Sequence, residues 1–319
     1  MIKNSNDGIK EITNAPRPVL ARIFLSPEEK RLRAGWRLIV QMLLSFILQV
    51  IPLIIIGIIL AIILAIASVD ISDDLLTLPG ILVSAAATTL SVWIARRWID
   101  RRTIASLGLQ WQRNSLMDVL VGIIIAGIMM GLIFVLQLSM GWLQIEKLGI
   151  TGIDKLPLLL LWAIVFLVVG FYEELLSRGY HLQNIEDGLN TAWAVLISSA
   201  IFSLAHLFNP NPSLGSVLGI LAAGLFLAYA YLSTRQLWLP IGLHIGWNFF
   251  EGPVFGFPVS GLITPRLIEH TVSGPLAMTG GAFGPEAGWV QLPALILGIL
   301  LIILYNQQTE NNGDEKEEI

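Results

Sequence analysis

Two adjacent glutamates, Glu173 and Glu174, stand in GFYEELLSRGYHLQ (170–183), directly after the aliphatic run LPLLLLWAIVFLVVG. Ionisable groups in such surroundings are costly, so each is a candidate functional residue. Arg178 and His181 share the stretch, His206 ends FSLAH (202–206), and His244 and Asn248 bracket HIGWN (244–248). A carboxylate held among apolar groups is a competent general base. A histidine beside it can orient a water or relay its proton. A further histidine and a carboxamide can donate hydrogen bonds to a developing oxyanion. The set fits hydrolysis of an acyl bond by activated water, without a covalent intermediate. Ser177, Ser198 and Ser203 lie nearby, but none has a nucleophile-elbow context. The absence of cysteine excludes a thiolate nucleophile, a thiolate metal site and disulfides.

Helical spacing separates the glutamates. Glu174 and Arg178 are four apart with the acid first, the favourable order for an ion pair on one face. Glu173 lies about 140° round from Arg178 at 100° per residue and must find its company on another helix. Phe202 with His206, and His244 with Asn248, are also four apart, so each pair occupies one face. If consecutive helices are antiparallel and turn around 184–190, Glu173, His206 and His244 lie roughly 15, 25 and 10 Å from that end. These depths overlap within helix tilt, so a carboxylate, two imidazoles and a carboxamide can converge. Glu174 and Arg178 are expected to support and position. His181, near the inner surface, and His270, in an outer loop, are expected to be bystanders. Phe171, Tyr172, Phe202, Trp247 and Phe249 read as packing.

The elements that must hold these residues are membrane helices. Hydrophobic residues make up 55% of the 319, charged ones 13%, and mean hydropathy is +0.75. A soluble domain carries roughly twice that charged share. Uncharged runs cover 38–69, 75–95, 119–145, 156–172, 188–234, 236–250 and 287–309. A span needs about 20 apolar residues, and the run 188–234 holds two, divided by the turn signal NPNPS (209–213). The expectation is an all-α polytopic membrane bundle of about eight transmembrane helices. Sixteen of the 19 Lys and Arg residues fall on one side of such a bundle, leaving Lys147, Lys155 and Arg266 opposite. That bias predicts cytoplasmic N- and C-termini in the cell membrane, and Trp36, Trp93, Trp142, Trp193, Trp238 and Trp289 near span ends fit an interfacial belt.

Along the chain, a polar cytoplasmic segment (1–35) without a cleavable leader is expected to precede N-terminal membrane helices (36–150). A catalytic membrane core (151–306) and an acidic, disordered tail (307–319) follow. The first long helix exceeds the ~30 Å bilayer core, so it tilts or kinks at Pro52. RRWIDRRTIASLGLQWQR (96–113) reads as a basic surface segment. Eight glycines and five prolines in 251–290 argue against a regular helix and for a cap over the bundle. No repeat, phosphate-binding loop or nucleic-acid signature is present.

EELLSR, FSLAH and HIGWN, in that order on three apolar helices, resemble the three signature motifs of the CPBP family. This family of intramembrane glutamic endopeptidases includes the type II CAAX prenyl proteases and bacteriocin-processing (Abi-like) proteins. The resemblance covers about 156–250. It implies Glu173 as the water-activating base, His206 as its partner, and His244 with Asn248 as the oxyanion hole. It also implies a peptide or protein substrate at the membrane, with no cofactor and no metal. Two other readings use the same residues. Glu173, His206 and His244 suit a three-ligand zinc protease, although HExxH is lacking. A transporter would spread charge over more spans and show an internal repeat. An idle immunity or scaffold protein retaining the motifs is a further alternative.

Overall fold

The computed structural model describes residues 18–26, 31–67, 73–148 and 156–317. Lys3, Lys10, Arg17, Lys30 and Lys155, and with them most of the polar N-terminal segment, lie outside the described residues. The chain is an all-α multi-pass membrane bundle. A short α1 (Val19–Phe24) precedes α2 (Ala34–Ala67) and α3 (Asp73–Ile94). Next come α4 (Ser115–Ser139), β1 (Leu143–Leu148), α5 (Leu156–Glu174), α6 (Gln183–Gly188) and α7 (Thr191–Ala205). Then follow α8 (Leu214–Thr234), α9 (Trp238–Phe249), β2 (Ile268–Val272), α10 (Leu276–Thr279) and α11 (Gln291–Glu317).

Seven helical segments among the described residues are long and apolar enough to cross a membrane. The eighth expected crossing, α9, has only 12 residues. It continues as a π-turn over Phe250–Val254, which contains Pro253, and the two together reach about 25 Å at 1.5 Å per residue. α9 nevertheless occupies the bundle centre, with Leu239–Asn248 all buried. Glycine makes this possible. A Cβ on Gly242 would come 2.2 Å from the Val119 carbonyl oxygen, and one on Gly122 2.6 Å from that of Leu239.

Contacts fix the helix directions. α4 and α9 run parallel, since Gly122 meets Leu239, Gly246 meets Ile123 and Gly127 meets Phe250. α7 and α8 are antiparallel, with Ser203 Oγ bonded to the Val217 carbonyl and Gly224 against Ser199. α11 returns antiparallel to α4, placing Gly298 at Met129 and Tyr305 Oη 2.6 Å from Asp118. α2 and α3 are joined antiparallel by Gln41–Ser91 and Gln49–Thr88 bonds. Arg37 and Arg235 reach the neighbouring Asp187 and Glu186. The starts of α2 and α9 therefore share one end of the bundle. The Tyr305–Asp118 bond brings the end of α11 to the start of α4, at that same end.

The basic 96–113 segment is built on a π-turn (Ala95–Ile99) and a 3₁₀ turn (Ile104–Leu107). Arg96 there is buried against Asp100, 3.0 Å, and Ser106. α11 extends to Glu317. The outer loops form a small sheet, β1 antiparallel to β2, with a bulge between Ile145 and Lys147. Pro52 sits within a continuous α2.

Candidate active site

Glu173 and Glu174 close α5, and the chain then widens into a π-helix over Leu175–Leu182. Such segments recur at functional sites. Arg178 Nη1 donates to Glu174 Oε1 at 2.7 Å, with both side chains fully buried. The guanidinium also donates to the Gly224 carbonyl at 2.9 Å and stacks 4.6 Å over the Phe202 ring. The expected local pair is present and anchors α5 to α8 and α7. Glu174 does more than pair: its Oε1 also accepts from His244 Nδ1 at 2.8 Å.

Glu173 faces the other way. Its Oε1 accepts from the Tyr172 hydroxyl at 3.2 Å. Its Oε2 lies 3.7 Å from His244 Nε2 and 4.0 Å from His206 Nε2. The imidazole Nδ1 of His206 bonds the Phe202 carbonyl at 2.8 Å, so it is the donor. His206 Nε2 is thereby left to accept. The fourth expected residue, Asn248, lies one turn beyond His244 on α9 and is buried. All four line one cavity of about 810 Å³. The structure thus brings Glu173, His206, His244 and Asn248 together, with Glu174 and Arg178 directly behind.

Of the two expected bystanders, His270 is remote, packed 4.8 Å from the Phe257 ring. His181 is not fully so, because it lines the same cavity and bonds Gln41 at 3.1 Å. Gln41, Ser45, Gln49, Ser84 and Thr88 extend that wall with uncharged polar groups from α2 and α3. Sequence reasoning missed Glu286, a buried carboxylate on the cavity wall that accepts from Trp247, Ser260 N and Ser260 Oγ. Its only sequence signal is an acid isolated among glycines and prolines. Trp247 and Tyr172, read as packing, each use a polar atom at the site.

Residues 155–250 match the family described as Type II CAAX prenyl endopeptidase Rce1-like. The matched segment carries EELLSR, FSLAH and HIGWN, and it supports the CPBP resemblance and a CAAX-type intramembrane protease in general. No curated protein and no solved structure matches the chain.

Proposed function

We propose that the protein is an intramembrane endopeptidase in which Glu173 and His206 activate water against a peptide carbonyl. The observation that carries this reading is the convergence of Glu173 Oε2 on two imidazole Nε2 atoms at 3.7 and 4.0 Å in a shared cavity. Those separations exceed a direct hydrogen bond and leave the three groups facing one point of the cavity, where a water can sit beside them. Glu173 takes the proton as the water oxygen attacks the carbonyl carbon. Asn248 Nδ2 and the protonated His244, whose Nδ1 is held by Glu174, donate to the oxyanion. The C–N bond then breaks, and the proton held by Glu173 passes to the leaving amine. The cytoplasmic side is assigned to the bundle end bearing Arg37, Arg96 and Arg235, on the distribution of basic residues.

The test compares membrane peptides in cells carrying wild type or Glu173→Gln, followed by peptidase assay of the purified proteins. Gln keeps the shape of Glu but takes no proton from water, so activity should fall about 10³–10⁴-fold with the protein still folded. Asn248→Ala should be milder, about 10²–10³-fold. Full activity in Glu173→Gln would sink the reading. Loss of activity on chelation, restored by zinc, would instead make Glu173, His206 and His244 metal ligands.

A further inference from the structure

We propose that Glu286, outside the three motifs, is a positioning residue that fixes His206 and Asn248 relative to one another through the cap. A continuous chain of short contacts joins them. The His206 carbonyl accepts from Asn209 N at 3.1 Å, and Asn209 Nδ2 donates to the Ser260 carbonyl at 3.1 Å. Ser260 then donates twice to Glu286 Oε2, from its backbone N at 2.8 Å and its Oγ at 2.6 Å. Glu286 Oε1 accepts from the Trp247 indole at 3.0 Å, and Trp247 precedes Asn248 on α9. One carboxylate therefore spans the turn after α7 and the C-terminal end of α9, which carry His206 and Asn248.

Carboxylate chemistry is required here. Three donors converge on two oxygens, and only a group that accepts at both satisfies them. An amide would set its own N–H₂ against either the indole N–H or the Ser260 donors. Aspartate is one methylene too short to reach both sides. Glu286 is 4% exposed, so bulk water does not replace a lost bond. The surroundings are equally tight: a Cβ on Gly261 would lie 2.1 Å from the Pro210 carbonyl oxygen. Glu286 also lies close enough to His206 and His244 to act on them electrostatically.

The decisive measurement is ¹⁵N NMR of the full chain, histidine-labelled, in nanodiscs. The chain has 4 histidines. In Glu286→Gln the His206 and His244 ring resonances should move, and those of His181 and His270 should stay. Unmoved His206 and His244, or four equal shifts from general loosening, would overturn the proposal. Ser260→Ala and Trp247→Phe each delete a single donor but keep the Glu286 charge, so smaller shifts of the same two residues in them separate positioning from loss of charge. Unmoved resonances there would overturn the proposal, and the test survives if Glu286→Gln fails to fold. A second arm rests on the protease reading. Per folded molecule, Glu286→Gln should lower kcat about 10- to 100-fold with KM nearly constant, the scale of an ångström-level misplacement. A lower melting temperature with kcat intact would reduce Glu286 to a structural fastener. A wild type that cleaves nothing sinks the protease reading alone, because the NMR outcome still decides the positioning role.

Discussion

Glu174 and Glu173 differ by one position and by everything around them. Glu174 is sealed between Arg178 and His244, whereas Glu173 keeps one oxygen turned to the cavity side of both imidazoles. Removing one partner of a sealed pair leaves a buried charge, at about 3–5 kcal/mol. Glu174→Gln should therefore reduce the yield of monodisperse protein in size-exclusion chromatography, and so should Arg178→Lys, which keeps the charge but loses the fork that bonds Glu174 and the Gly224 carbonyl together. Glu174→Gln should also lower kcat of the surviving fraction, since it loosens His244; unchanged kcat there would separate the pair from the chemistry. Spacing was enough to assign Glu174 to Arg178 and to send Glu173 elsewhere, because i,i+4 geometry is local. Glu286 was not legible, since it reaches the site through a turn-rich segment with no period to read. Trp247 and Tyr172 were half legible: the ring is packing, but the indole N–H and the phenol oxygen have tasks that composition does not reveal.

At the level of elements, the glycines of α4 and α9 do what hydrophobic patterning cannot, by letting two backbones touch. Gly242→Ala and Gly246→Ala should each destabilise the bundle by about 1–3 kcal/mol, the usual cost of overpacking. Gly57→Ala is the matched control, because a Cβ there meets nothing within 4 Å. Thermal unfolding of the purified variants reads the difference, and equal melting points would refute the close-approach argument. The cap offers a pH prediction. Burial and then Arg266 hold the His270 imidazole below its ordinary value of 6.5, so the unfolded chain binds its proton more readily. The stability from the neutral ring is full above pH 6.5 and declines as pH falls from there toward the lowered folded value. His270→Phe should flatten that part of the melting-temperature profile between pH 7 and 5. Helices were legible from uncharged runs, whereas β1 and β2 were not. Each is short, and their pairing joins loops more than a hundred residues apart.

For the whole molecule, alternating helix directions bring the start of α2 and the end of α11 to one end of the bundle, with the 251–290 cap at the other. Reporter fusions after Ile319 and within 260–285 should accordingly report opposite sides of the membrane, and agreement between them would break the topology. The shortness of α9 also sets an order of assembly during synthesis. A 12-residue helix falls well below the roughly 20 residues a bilayer-spanning segment needs, so the insertion machinery has little reason to release it into lipid unaided. Its seat is instead the glycine face of α4, made more than a hundred residues earlier. α9 should therefore remain unthreaded on the ribosome until α4 can receive it. Gly122→Leu, which blocks that seat, should leave the earlier helices inserted and strand the 260–285 reporter on the wrong side, as glycosylation mapping of nascent chains would record.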